Sequence, residues 1–232
     1  MRRFRFRYKE TIATIITESE EYFEVAVKAI LEARSEIERY IEFNPYFYIS
    51  YEPLDCEGKI VGRMCKASKI ANVGPMASVA GTIASYAVEK MIEKGARIAI
   101  VDNGGDIVIH SDREIVVGVY PSNVAFKIEP KYIYAVCTSS GKIGHSVSFG
   151  YADAATIFAE DGSIADALAT ALCNEIKEEF KAEDVKRVVE EFWKKFRKYI
   201  DGVFVAKDDI FAFTGNIEFA KAEVKPDLIT RG

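Results

Sequence analysis

A carboxylate and a hydroxyl stand four residues apart at Asp166 and Thr170, inside the run Ser163-Ile-Ala-Asp-Ala-Leu-Ala-Thr-Ala-Leu-Cys173. Read as a helix, at about 100° per residue, the run puts both on one face, one turn apart and roughly 40° from each other. One carboxylate and one hydroxyl are a thin ligand set for calcium but suit magnesium, which keeps waters and is completed by substrate phosphates. The alternative is that Thr170 bonds back to the backbone carbonyl one turn earlier while Asp166 faces water. The residues beside the pair are Ala165, Ala169 and Cys173 rather than Glu or Lys, so something can approach closely. Asp166 is expected exposed on the polar side of the helix, where its removal costs stability only on the order of 0.5 kcal/mol.

Three further groups could serve an anion. Thr138, Ser139, Ser140, Gly141 and Lys142 form a polar turn at a strand end, suited to presenting hydroxyls and backbone N–H groups. The stretch Asn72-Val-Gly-Pro75 starts a helix over residues 74–93 with Pro in its first turn, leaving unpaired N–H groups that attract negative charge. Along it Ala77, Ala80, Gly81, Ala84 and Ser85 make a face of small residues open to a backbone or a phosphate. Asn103-Gly104-Gly105 reverses two strands and needs no function to explain it, but its place between the other groups makes it a ligand-loop candidate. His145, one of two histidines, lies between the polar turn and the Asp/Thr helix, and is either structural or an acid–base group.

Strands and helices must position these groups. Residues 2–8 alternate Arg3, Arg5 and Arg7 with Phe4, Phe6 and Tyr8, the period of a strand whose charges guard an edge or hold phosphates. Residues 11–17 read as its hairpin partner, and residues 19–42 as a helix with Phe23, Val27, Ile30, Leu31, Ile37 and Ile41 along one stripe. Residues 44–68 are rich in aromatics and turn formers without a period. They predict an extended hairpin or a long functional loop, with Tyr46, Phe47, Tyr48 and Tyr51 either on an aromatic ligand or in the outer core. Strands follow over 97–101, 107–110, 114–119, 124–128, 132–137 and 154–159, and their short links predict antiparallel pairing. An amphipathic helix covers 182–199, and 202–224 gives two or three strands.

A chain of 232 residues, 49% hydrophobic, suffices for one domain, or for two lobes with a ligand cleft between them. The net charge of −5 argues against general nucleic-acid binding. Four scattered cysteines make no zinc pattern and read as reduced thiols. The charged start lacks the apolar centre of a signal peptide, so a cytoplasmic location is expected. The uncharged run 70–88 contains Asn72, Pro75, glycines and hydroxyls, which predicts a buried helix and no membrane span.

Taken together, Thr138-Ser-Ser-Gly141, His145 and Ala165-Asp-Ala-Leu-Ala-Thr-Ala-Leu172 resemble the C-terminal signature of the ApbE family, the FAD:protein FMN transferases. Val101-Asp-Asn-Gly-Gly-Asp-Ile107 is similar to that family's Gly-Gly-Asp-Ile turn. The helix start near Gly81 lines up with its Gly-Gly-x-Ala-Lys-Gly pattern, keeping the last glycine but placing Ala80 at the lysine and Met76 and Ala77 at the two glycines. The segment after His145 departs too, because Ser146-Val-Ser-Phe-Gly150 stands where the transferases continue toward an Asp-Pro. The chain is identified as a divergent branch of the ApbE-like superfamily.

The resemblance implies an α+β fold, predominantly antiparallel sheet with packed helices, of ApbE-like, T-fold-related architecture. It implies FAD and Mg2+ as cofactors, with Asp166, Thr170 and the backbone carbonyl of Val79 on the metal. Gly81, Gly104, Gly105, Asp106, Thr138, Ser139, Ser140 and Gly141 would meet the nucleotide, and His145 would orient or deprotonate an acceptor protein's hydroxyl. The rival readings are a non-catalytic module for flavin or another diphosphate nucleotide, and a homo-oligomeric scaffold in which the small-residue helices pack together. Two geometric expectations follow: the helices 74–93 and 163–174 meet through their small faces, and the turns 138–141 and 103–106 share one cleft.

Overall fold

The computed structural model describes residues 1–142 and 149–221. Eleven strands and six α-helices follow in the order β1 (Arg2–Tyr8), β2 (Thr11–Thr17), α1 (Glu20–Phe43), α2 (Tyr46–Ile49), α3 (Val61–Ala71), α4 (Val79–Glu93), β3 (Ile98–Asn103), β4 (Asp106–Ser111), β5 (Ile115–Val119), β6 (Val124–Ile128), β7 (Tyr134–Ser139), β8 (Ala154–Ala159), α5 (Gly162–Glu175), α6 (Ala182–Phe196), β9 (Gly202–Lys207), β10 (Ile210–Gly215) and β11 (Glu218–Ala220). Eight strands form one sheet in the order β1-β2-β3-β4-β7-β8-β9-β10, and β11-β6-β5 form a second. Every pairing in both is antiparallel.

The alternation of side chains along a strand divides the core in two. On β3, Ala99 and Val101 face the helices while Ile98 and Ile100 face the small sheet; on β9, Val203 and Val205 divide from Phe204 and Ala206 in the same way. Central strands buried on both faces carry near-continuous apolar runs for this reason. Phe126 anchors the layer between the sheets, with its ring centroid 4.8 Å from Phe158 and 5.1 Å from Phe204. β1 is an edge, and its arginines guard it.

Residues 44–68 are neither a hairpin nor one long loop. The one-turn helix α2 buries Phe47 and leaves Tyr46, Tyr48 and Tyr51 exposed, and α3 begins at Val61. What starts α3 is distant in sequence: the Glu36 carboxylate on α1 accepts from the N–H groups of Ile60 and Val61 at 2.7 and 3.1 Å. An acceptor for orphan N–H groups does the work of a cap. Glu36→Ala should therefore lower stability by about 1–2 kcal/mol in urea unfolding, with Glu36→Gln in between; an unchanged midpoint in both removes this role.

Two other expectations are corrected. The helix predicted over 74–93 opens as a 3-10 turn, Pro75–Ser78, and becomes α-helical only at Val79. The cysteines are not all reduced thiols: Cys56, before α3, is paired with Cys65 on it, while Cys137 and Cys173, both buried, take no part in a disulfide. A helix turn brings that pair together, which the spacing of nine residues does not announce.

Candidate functional site

The site is built where α4 and α5 cross. A side chain on Gly81 would strike the backbone of Gly162, and one on Gly162 would reach within 3.0 Å of the Gly81 carbonyl, so the two helices meet backbone to backbone. The small-residue faces thus meet within one chain, which occupies the surfaces that an oligomeric scaffold would use. Asp161 caps α5 by accepting from Ser163 and Ile164 N–H groups at 2.8 and 3.1 Å.

The crossing buries Asp166, contrary to the expectation of an exposed carboxylate; from Gly162 through Cys173 every residue of α5 is buried. Its Oδ2 accepts from the Gly81 N–H at 2.8 Å, and the Ala80 N–H also points to it. The first turn of α4 spends two of its N–H groups on this carboxylate. Burial pushes Asp166 up to about 7, and those two N–H groups hold it from going higher.

Asp106, at the start of β4 and opposite Cys137 of β7, is also more than nine-tenths buried. The Cys137 thiol and the Thr138 N–H face its carboxylate, yet its Oδ1 has no hydrogen-bond partner. Burial first, and the charge of Asp166 second, hold it well above the usual carboxylate range. The same two carboxylates and its own burial push the Cys137 thiol up.

The shift on Asp166 has a sign. Its folded value of about 7 exceeds the ordinary 3.8, so between these the folded chain keeps a proton that the unfolded chain has released. Stability from this site is complete below about pH 4, is lost as pH rises toward 7, and is level above. Unfolding in urea from pH 4 to 8 should show that decline, and Asp166→Asn should flatten it. An identical profile in the variant would assign the titration elsewhere, to Asp106 or Cys137.

Beside the crossing opens a cleft of about 1770 Å³. Val79, Ala80 and Thr170 line it from the helices, Gly104, Gly105 and Asp106 from the β3–β4 turn, and Thr138 and Ser140 from the end of β7. The turns 103–106 and 138–141 therefore share one cleft, because β4 and β7 pair with Asp106 opposite Cys137. Gly104 and Gly105 have φ of +70° and +107°, the backbone a two-residue reversal needs. The Gly105 N–H is engaged by Asp102 Oδ1 at 3.0 Å.

Four sequence candidates stand behind the wall rather than on it. Gly81 packs against α5, as does Asp166 against α4. Ser139 points away from Thr138 and is buried, and the Gly141 N–H donates to the Ala152 carbonyl at 3.0 Å. His145 lies outside the described residues. Walls absent from the sequence candidates come from the β1–β2 hairpin, from Arg34 on α1, from Tyr48 and Tyr51, and from β5. The sequence signals for these were the aromatic run and the alternating arginines of residues 2–8, of which Arg3 lines the cleft.

Among the described residues no group of three or more His, Cys, Asp or Glu is spaced to hold a metal ion. The oxygen donors near the crossing, two carboxylates and the Thr170 hydroxyl, fit a hard cation that keeps waters and shares ligands with a phosphate, and do not fit a closed zinc cage.

An antiparallel sheet with helices on one face and this cleft at the helix crossing is the ApbE fold. Over 92% of this chain and 94% of the other, the structure is similar to the apo flavinyl transferase ApbE of Pseudomonas stutzeri, with a TM-score of 0.58 at 13% identity. It is similar to the ApbE protein of Thermotoga maritima at TM-score 0.57 and 15% identity, over 100% of this chain and 99% of the other. The family model described as AbpE bacteria matches residues 1–195, and the chain belongs to that family. Among relatives, it is 62% identical to a UPF0280 protein of Archaeoglobus fulgidus over 100% of both chains, and 44% identical to one of Methanothrix thermoacetophila over 98% of both. Among the described residues no helix is long and apolar enough to cross a membrane.

Proposed function

We propose that the cleft binds a flavin nucleotide together with Mg2+, and that the chain is a cytoplasmic FAD:protein FMN transferase. The observation that carries this reading is the convergence on one cleft of a two-glycine turn that ends in the buried Asp106, a hydroxyl-bearing strand end and a helix crossing backed by the buried Asp166. Gly104 has no atom within 4 Å of where a side chain would sit, so a ligand can lie against its backbone. Thr138 and Ser140 would turn their hydroxyls to phosphate oxygens, while Thr170 and the Val79 carbonyl would meet the cation from the cleft wall and Asp166 from directly behind it. Bound Mg2+ would neutralise the diphosphate.

In the transfer, an acceptor hydroxyl oxygen bonds to the phosphorus on the FMN side, the anhydride bond breaks, and AMP leaves with its electron pair. His145 takes the hydroxyl proton. Positioning supplies most of the acceleration in such a displacement.

Ala80 at the position of the family's lysine favours a second reading, in which the cleft binds the nucleotide without transferring it. Titration calorimetry of FAD, FMN and ADP with and without Mg2+ tests binding, and mass spectrometry of a supplied acceptor protein tests transfer. Mg2+-dependent FAD binding with an acceptor mass gain of one FMN is the expected result. Binding without the mass gain selects the second reading, and absence of binding overturns both.

A further inference from the structure

We infer that Asp106 is a second carboxylate of the cation site, contributing its unpartnered Oδ1 beside Asp166. This rests on the proposed reading that a divalent cation is held at the helix crossing, and adds to it a ligand from the sheet.

A carboxylate that is more than nine-tenths buried normally has each oxygen hydrogen-bonded, because an orphaned buried acceptor forfeits its hydration without return. Asp106 breaks this rule at one atom: Oδ1 is sealed from solvent and accepts from nothing. The residue nevertheless lines the cleft. Asp166 lies within electrostatic reach of it. Two carboxylates buried within electrostatic reach of each other repel when both are ionised, and either a proton or a cation relieves them; an oxygen left without a donor is the one a cation can take. The Thr170 hydroxyl lines the same cleft, which gives a third oxygen. Two carboxylates and a hydroxyl, with waters and a phosphate completing the shell, are the ligand pattern of magnesium and manganese.

The backbone makes the placement firm. Asp106 opens β4 directly after the two-glycine turn and is registered against Asn103 on one side and Cys137 on the other. Its side chain is therefore set by two ladders rather than by a loop.

The test uses Mn2+ as the probe, without nucleotide and then with FAD, followed by the loss of the free-ion paramagnetic resonance signal. Asp106→Asn keeps the size and the neutral hydrogen-bonding capacity of the side chain and removes the charge. Expected is at least a tenfold weaker Mn2+ affinity in Asp106→Asn, with a comparable loss in Asp166→Asn. If Asp106→Asn binds Mn2+ like the parent while Asp166→Asn does not, the inference is overturned and the cation reading stands. If the parent binds no Mn2+ under either condition, both fall. Should Asp106→Asn fail to fold, crystals of the parent soaked in Mn2+ decide: anomalous density in coordination contact with Oδ1 supports the inference, and density on Asp166 alone overturns it.

Discussion

Gly81→Ala is expected to destabilise the fold by about 2–4 kcal/mol, although alanine is the better helix former. The new Cβ would lie against the Gly162 carbonyl and 2.7 Å from Asp166 Cβ. None of these is the free end of a flexible side chain, so relief requires α4 and α5 to separate, and α5 is buried throughout. In an unobstructed helix the same change would raise stability by about 1 kcal/mol, through propensity and a less disordered unfolded chain. The sign of the effect is thus diagnostic before its size is measured. Gly104→Asn is the control, since no atom lies within 4 Å and Asn tolerates its φ of +70°; it should cost about 1 kcal/mol or less. Urea unfolding of both variants decides, and a Gly81→Ala midpoint at or above the parent's would disprove the backbone contact.

Where a single period governs a segment, the sequence was legible. β1 alternates arginine with aromatics from Arg3 to Tyr8, and α6 carries Val185, Val189, Phe192 and Phe196 at helical spacing, all of them buried. The small faces of α4 and α5 were readable because Ala, Gly and Ser have few reasons to cluster other than close approach. Asp166 was misread for a related reason. A helical wheel has two faces, and the polar one was assigned to water; α5 is instead covered on every side, by α3, α4 and the strands β7 and β8. The signal was present in the absence of Lys and Glu from 163 to 173.

Residues 44–68 were illegible because their helices are short and one is started from outside. α2 is a single turn, and the cap of α3 is a carboxylate from α1. The cleft wall from β5 is equally hidden, since it reaches the site through tertiary placement rather than through any motif. Asp106 lay within a recognised turn, but its orphaned oxygen is a property of burial that no spacing encodes.

Asp166→Ala is expected to abolish Mg2+-dependent FAD binding, a loss of at least a hundredfold, or about 2.7 kcal/mol at 1.36 kcal/mol per tenfold. Without this carboxylate the diphosphate would meet the protein with its charge unneutralised, close to the buried Asp106. The burial of Asp166 changes what else the variant does. Because its Oδ2 holds the Gly81 N–H at 2.8 Å, alanine also removes a cap from α4, so about 1–2 kcal/mol of stability should go with the binding, rather than the 0.5 kcal/mol of an exposed side chain. Asp166→Asn separates the two effects: its amide oxygen can still accept from Gly81, so stability is largely kept while the charge on the cation is lost. Thr170→Val preserves volume and deletes only a neutral ligand, which predicts a weaker loss, about tenfold. Titration calorimetry with FAD and Mg2+ on the parent and the three variants, paired with urea unfolding of each, gives both readouts. Equal affinities across all four proteins would leave Asp166 as a helix cap and nothing more. A loss in Asp166→Ala that Asp166→Asn restores would place the effect in the α4–α5 packing instead of in the cation.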